Sequence, residues 1–299
     1  MLEHLIGTVW PRDADPKDAL VAAVTQVCDR YGVTLATPWP TNGPGWQGLA
    51  WRAASARDTP PWQETLRAAG NDLGADIAVS NGALATSGPA LVVSDVDSTF
   101  FEGEVIDDLA GHAGSQDLVA AITARAMKGD LDFRQSLYER VAVLRGLDVA
   151  SLDAVRRAVR LAPGAGELTE RLRELGVPLG LVSGGFGEIV APLAEELGIG
   201  LVRANALAHG DGLLTGELAG DIIDADAKVA TARQWAAELG ADLERVVTIG
   251  DGANDLPMLR AAGLGVAYCA KPIVVARAPS ALNFPRLDAL LGLLGHSSH

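Results

Sequence analysis

The sequence has little of what holds together disulfide scaffolds or crosses bilayers. Cys28 and Cys269 are its only cysteines and form no CxxC or other metal-ligand spacing, which fits a reducing compartment. No stretch reaches the ~18 apolar residues of a membrane span. The opening MLEHLIGTVWPRDADPKD places acids and a proline where a signal peptide needs a basic start and a long apolar core. These absences predict a soluble, cytoplasmic protein. Positive charge is scarce too: 24 Lys+Arg stand against 38 Asp+Glu, a formal net charge of -14 at pH 7. Such a field repels nucleic acid and anionic lipid, so neither is an expected partner, and it attracts divalent cations. An anionic substrate would need local positive charge to approach.

What is present is the material of a large core. Hydrophobic residues make up 48% and charged residues 21% of 299, enough for one large domain and a smaller one. Residues 1–88 read as a small α+β unit. LIGTVW is a candidate strand, DPKDALVAAVTQVCDRYG a capped amphipathic helix ending at Gly32, and GVTLATPWP a strand interrupted by prolines. SNGALATSGP, residues 80–89, collects Ser, Asn, Gly and Pro between two apolar runs and reads as a linker.

From residue 90 short apolar runs alternate with helical segments. The runs ALVVS (90–94), VPLGLVS (177–183), RVVTIG (245–250) and LGVAY (264–268) lack polar alternation, as strands covered by helices on both faces do. A doubly wound α/β domain with a parallel Rossmann-like sheet, residues 89–299, follows. The helical stretch between the first two runs is too long for an ordinary crossover and predicts an inserted helical cap at about 102–162. A second insertion, 204–220, carries Asp211-Gly212 between residues able to pair, and predicts a hairpin.

Polar residues cluster where three of those runs end. Asp95 and Asp97 follow the first, Ser183-Gly184-Gly185 the second, and Asp251, Asn254 and Asp255 the third. Strand ends of an open parallel sheet meet at one crevice, so these segments converge. Taken singly, each has a plain reading: an Asp after a strand caps a helix, Ser-Gly-Gly makes a turn, and Lys228 is a solvated helix residue. Their joint occurrence is harder to explain that way.

DVDST (95–99), VSGGF (182–186), Lys228 and GDGANDLPML (250–259) resemble, in order, the four motifs of the haloacid dehalogenase-like (HAD) hydrolase superfamily. Within it, DVDSTFFEGEVID, SGGF and GDGANDLPMLRAAGLGVAYCAKP resemble the phosphoserine phosphatase subgroup, and the likeness runs from about 90 to about 288. The resemblance implies Mg2+-dependent hydrolysis of O-phosphoserine. Asp95 matches the family nucleophile, which forms an aspartyl-phosphate, and Asp97 matches the acid/base. The metal would be held by the Asp95 carboxylate, the Asp97 main-chain carbonyl and the Asp251 carboxylate, with Asp255 in support. Ser183, Gly184, Lys228 and Asn254 would bind phosphate. Glu104 and Arg140 would meet the substrate ammonium and carboxylate, and Met127 and Phe133 would close over the site. Residues 1–88 resemble an ACT-like module, for which a regulatory, a homodimerising and a plain structural role all stand open. Two other functions remain: a HAD phosphatase or phosphotransferase for another small phosphomonoester, and a non-catalytic phospho-ligand sensor.

Overall fold

A computed structural model describes residues 1–56 and 60–298, without the side chains of Pro60, Pro61 and Met127. The amino-terminal part follows the order β1 (Leu2–Pro11), α1 (Lys17–Tyr31), β2 (Thr34–Leu35), β3 (Trp39–Gly43), β4 (Trp46–Ser55), α2 (Pro60–Asp72) and β5 (Asp76–Asn81). Among the described residues these strands form a five-stranded antiparallel sheet in which β2 and β3 both pair with β4, and β1 lies between β4 and β5. Counting β2 and β3 as one strand interrupted near Pro38 gives the β-α-β-β-α-β order of a split βαβ unit, consistent with an ACT-like module. Helix α1 stops where expected, with Gly32 in the left-handed conformation at φ 68°. Its start is Pro16, without the expected side-chain cap.

Both faces of this sheet are buried, so β1 is buried without alternation from His4 to Trp10. Ile6, Trp10 and Trp51 pack with Trp62 and Leu66 beneath α1 and α2. The opposite face receives α3 (Gly82–Ser87) and residues from the far end of the chain. The stretch 80–89 is therefore not an open linker. Ser80 and Asn81 complete β5, and the next six residues form α3, whose Leu84 and Ala85 are buried.

The second sheet begins with β6 (Leu91–Ser94). The chain then passes through α4 (Val105–His112), α5 (Gln116–Lys128), α6 (Phe133–Ala142), α7 (Ala150–Ala158) and α8 (Ala165–Glu174) before β7 (Leu179–Phe186). A bridge between Phe101 and Leu161 closes the base of the helical excursion. There follow α9 (Gly187–Glu196), the hairpin β8 (Leu201–Gly210) and β9 (Leu213–Ala219), α10 (Ala225–Glu238), β10 (Val246–Gly250), α11 (Leu256–Ala261), β11 (Leu264–Tyr268), α12 (Pro272–Val275), β12 (Ser280–Leu282) and α13 (Ala289–Leu293). Among the described residues the sheet has seven strands in the order β12-β11-β10-β6-β7-β8-β9, parallel except for β9. From β6 the chain winds outward through β7 and β8, then restarts at β10 and winds the other way. The switch point thus lies between β6 and β10, the position where such sheets bind ligands.

Strand β6 is apolar without a break because alternate side chains enter different cores: Leu91 and Val93 meet α10, and Val92 joins the larger core on the other side. The predicted hairpin is present, with Asp211 and Gly212 at φ 52° and 79° in its two-residue turn. Its tip is stitched to the helical excursion, since Gly146 N–H donates to Leu214 O (2.8 Å), Leu214 N–H to Leu147 O (2.8 Å) and Val149 N–H to Gly212 O (2.9 Å).

The carboxy-terminal residues are docked, not frayed as a polar HSSH tail would suggest. Helix α13 lies on β1 and β4 so closely that a Cβ on Gly7 would fall 2.1 Å from Leu293 O. Trp46 Nε1 donates to the buried Asp288 carboxylate (2.7 Å), and Ser298 N–H donates to Asn42 O (2.9 Å). His296 is half-buried there, and His299 lies outside the described residues. Among the described residues no helix is long and apolar enough to cross a membrane.

Candidate active site

Strand β6 ends at Ser94, and the chain curls at once. Val96 O accepts from the amides of Phe100 (2.8 Å) and Phe101 (2.8 Å), and Ser98 takes φ 57°. Asp95 and Asp97, which a straight strand would place on one face, are instead carried on a loop at its mouth. The neighbouring strands deliver the rest: β10 ends at Gly250 beside Asp251, and β7 shifts register between Val182 and Phe186, where Ser183-Gly184-Gly185 lies.

The core of the cluster is ionic and buried. Lys228 Nζ donates to Asp95 Oδ1 at 2.5 Å and to Asp255 Oδ1 at 2.6 Å, and all three residues are within a few per cent of complete burial. Asp255 is held in turn by the Gly252 amide at 2.9 Å. Burial opposes the charge on Lys228, but the Asp255 and Asp95 carboxylates outweigh it and hold the ammonium above its ordinary range. Burial also drives Asp95 well above the usual carboxylate range, Asp255 adds to the rise, and Lys228 only partly offsets it. Asp251 is pushed up to about 6 by burial and by Asp255.

One carboxylate oxygen from each of Asp95, Asp251 and Asp255 lies within 4.8 Å of the others. Three acids against one lysine leave uncompensated negative charge at the strand ends, which adds to burial in raising the proton affinities of Asp95 and Asp251. A hard divalent cation is the species that relieves it, and oxygen-only donors suit such an ion. The residues present therefore fit a metal.

Asp97 is turned away from this group. Its Oδ1 accepts from the Val105 amide (2.9 Å) at the start of α4, and its Oδ2 accepts from Ser183 Oγ (3.0 Å). Burial raises its proton affinity, while those two bonds and the Lys228 and Arg140 charges restrain it. Gly185 must be glycine here, because a Cβ would lie 2.4 Å from Asp97 Oδ2. Ser183 is fully buried: besides donating to Asp97 it accepts from the Gly185 amide (2.7 Å), so it stands behind the cavity wall.

Around this cluster is a cavity of about 120 Å³ whose lining includes Asp95, Asp97, Lys228, Asp251, Asn254 and Gly184 on the sheet side, with Glu104, Phe133, Leu137 and Arg140 from the helical side. Glu104 sits at the exposed mouth. Desolvation by the walls, with the charges of Asp97 and Asp251, pushes it up to about 7, and its contact with water blunts that rise. Met127 belongs to α5, but its side chain is outside the described part of the molecule.

Two supporting residues were invisible in the motifs. Thr99 Oγ1 donates to Asp251 Oδ1 at 3.3 Å, although DVDST gives it no evident chemistry. Asn205, on β8, is buried and uses both ends of its amide: Nδ2 donates to Gly184 O (2.7 Å), and Oδ1 accepts from Ile223 N–H (2.8 Å). It ties the glycine loop to the chain entering α10, which carries Lys228. A lone Asn in an apolar strand was the available signal.

The haloacid dehalogenase-like hydrolase family model matches residues 92–260, and the chain belongs to that family. A phosphoserine phosphatase of Streptomyces coelicolor is 49% identical over 243 residues, covering 81% of this chain and 59% of the relative. This chain thus spans under two thirds of that longer relative. The phosphoserine phosphatase of Streptococcus thermophilus is 50% identical over 204 residues, covering 68% of this chain and 95% of the relative. Among solved structures, an unliganded probable phosphoserine phosphatase from Vibrio cholerae superposes with a TM-score of 0.73 at 30% identity, over 98% of this chain and 86% of that one.

Proposed function

We propose that this chain is a Mg2+-dependent phosphoserine phosphatase that hydrolyses O-phosphoserine through an aspartyl-phosphate on Asp95. The catalytic unit is placed at residues 89–299, with 102–162 as its cap and 1–88 as the small accessory unit. The observation that carries the reading is the pairing of chemistries across one cavity. Asp95, Asp97 and Lys228 face Glu104 and Arg140, so a nucleophile, an acid and a phosphate-binding cation stand opposite partners for an ammonium and a carboxylate. An α-amino acid bearing a phosphoester presents those groups and no others.

Lys228 and the amides of Gly184 and Gly185 would hold the phosphoryl oxygens. Lys228 engages Asp95 Oδ1, so attack on phosphorus falls to Oδ2, and the P–O bond to serine breaks as the O–P bond to Asp95 forms. Asp97, whose raised proton affinity suits a general acid, gives its proton to the departing serine oxygen. The resulting carboxylate then takes a proton from the water that attacks phosphorus and frees Asp95. Mg2+ held by Asp95, Asp251 and the Asp97 main-chain carbonyl, with Asp255 in support, would supply the charge that lets a carboxylate approach a phosphate dianion. Phe133 and Leu137 line the cavity and would help to shed water from it.

The test is phosphate release from O-phosphoserine and from phosphoethanolamine, with Mg2+ and then with chelator. O-phosphoserine should be hydrolysed only with the metal. Arg140→Met should lower kcat/KM for O-phosphoserine by about 100-fold and leave phosphoethanolamine unchanged, since that ester has no carboxylate. Absence of release from O-phosphoserine with Mg2+ would overturn the assignment.

A further inference from the structure

The helical side of the cavity meets the sheet side at two adjacent residues of α6. Phe133 rests on the glycine loop, with its Cζ 3.1 Å from where a Cβ of Gly184 would stand. Arg134, the next residue, points outward and reaches Asp224: its Nη2 donates to Oδ2 at 2.5 Å and its Nε to the same oxygen at 2.9 Å. Asp224 is the N-cap of α10. Its Oδ1 accepts from the Ala227 amide at 3.0 Å and its carbonyl from the Lys228 amide at 2.9 Å.

We propose that Arg134 and Asp224 are a pair of positioning residues, a clasp that fixes the helix carrying Phe133 and Arg140 against the helix carrying Lys228 and so sets how tightly substrate is held. The inference rests on the phosphatase reading above. The clasp acts through rigid bodies at both ends. The first turn of α6 is locked by a reciprocal capping box, Gln135 N–H to Asp132 Oδ1 at 2.8 Å and Asp132 N–H to Gln135 Oε1 at 3.0 Å. Arg140 follows Arg134 by six residues, about 9 Å along the same helix, so a shift at one is carried to the other. On the core side, one carboxylate both takes the guanidinium and ends the helix that presents Lys228.

Side-chain exposures of 56% and 20% make this a solvated ion pair, which adds little to folding. Its effect is differential: it exists when the helical side is seated on the core and is lost when that side lifts. Any such difference reads out directly in the seated population.

The experiment compares wild type, Arg134→Gln, Arg134→Lys, Asp224→Asn and the double variant Arg134→Gln/Asp224→Asn. Asparagine retains capping ability, so Asp224→Asn removes the ion pair while preserving the helix start. At low ionic strength each uncharged variant should raise KM for O-phosphoserine about threefold with kcat not reduced. The double variant should match the singles, Arg134→Lys should recover part of the loss, and salt should bring wild type to the variants' KM. Wild-type KM in both single variants, multiplicative losses in the double, or a fall in kcat at unchanged KM would each overturn the clasp. Hydrogen exchange without substrate probes the contact independently of turnover: Arg134→Gln should speed exchange in 133–142 and not in 150–158. If wild type fails to turn over O-phosphoserine, the function is lost and the clasp is judged by exchange alone, where no change would sink it.

Discussion

Asn205 never touches the cavity, yet it holds the Gly184 wall and the chain that enters the helix of Lys228. Removing its amide leaves Gly184 O and Ile223 N–H buried without that partner, a loss of about 2–4 kcal/mol by the usual penalty for orphaned groups. Asn205→Ala should therefore lower the urea midpoint and weaken inorganic phosphate binding together. Gly185→Ala makes the opposite kind of lesion. Its methyl would press on Asp97, so kcat should fall by at least about 100-fold while thermal stability changes little, as phosphate release and melting would report.

Glu104 gives the site a pH dependence whose sign can be fixed. Burial and the Asp97 and Asp251 charges raise its proton affinity above the ordinary carboxylate range, so acid leaves it neutral and unable to pair with an ammonium. KM for O-phosphoserine should fall as pH rises from acid toward neutrality and then level off, and Glu104→Gln should flatten that limb. A KM-against-pH profile of both proteins decides it.

At the level of elements, the hairpin β8–β9 works as a brace, since its tip holds residues 146–149 by main-chain bonds. Gly212 sits at φ 79°, where a branched side chain is strained by about 1–2 kcal/mol. Gly212→Val should lower the melting temperature by a few degrees and speed hydrogen exchange at 146–149. The hairpin was legible because Asp-Gly lies between pairing residues. The four apolar runs of the seven-stranded sheet were legible because burial on both faces erases polar alternation. What escaped was short or remote. Ser280–Leu282 is three residues long, and the helix of 82–87 is written in turn-forming letters. Asn205 and the Arg134–Asp224 pair act across 18 to 90 residues of sequence, beyond any local pattern. The gathering of Asp95, Asp97 and Asp251 was readable because each follows a strand and parallel strands bring their ends together, whereas Lys228 arrives on α10.

For the whole molecule, the two sheets are fastened by buried polar groups as well as by apolar surface. Asp76, at the start of β5, accepts from the main-chain and side-chain nitrogens of Asn283, just past β12. Burial pushes its carboxyl up to about 6 from an ordinary 3.8, with the Asn283 bonds and Arg67 opposing. Below pH 4 it is protonated folded or unfolded. Between 4 and 6 the unfolded chain releases the proton first, so folding loses about 3 kcal/mol across that window, and above 6 the loss is constant. Asp76→Ala should accordingly cost less at pH 7 than at pH 4 in urea titrations. The carboxy-terminal helix adds apolar fastening, and Leu291→Ala should destabilise by about 2–5 kcal/mol.

That helix also imposes a delay. The Trp46–Asp288 bond spans 242 residues, so at ordinary synthesis rates the first sheet leaves the ribosome roughly ten to fifty seconds before the segment that covers it. Through that interval Val9 and Trp46 face water or a chaperone. The nascent amino-terminal unit should be the sticky intermediate of this protein, sheltered only when its distant partner arrives.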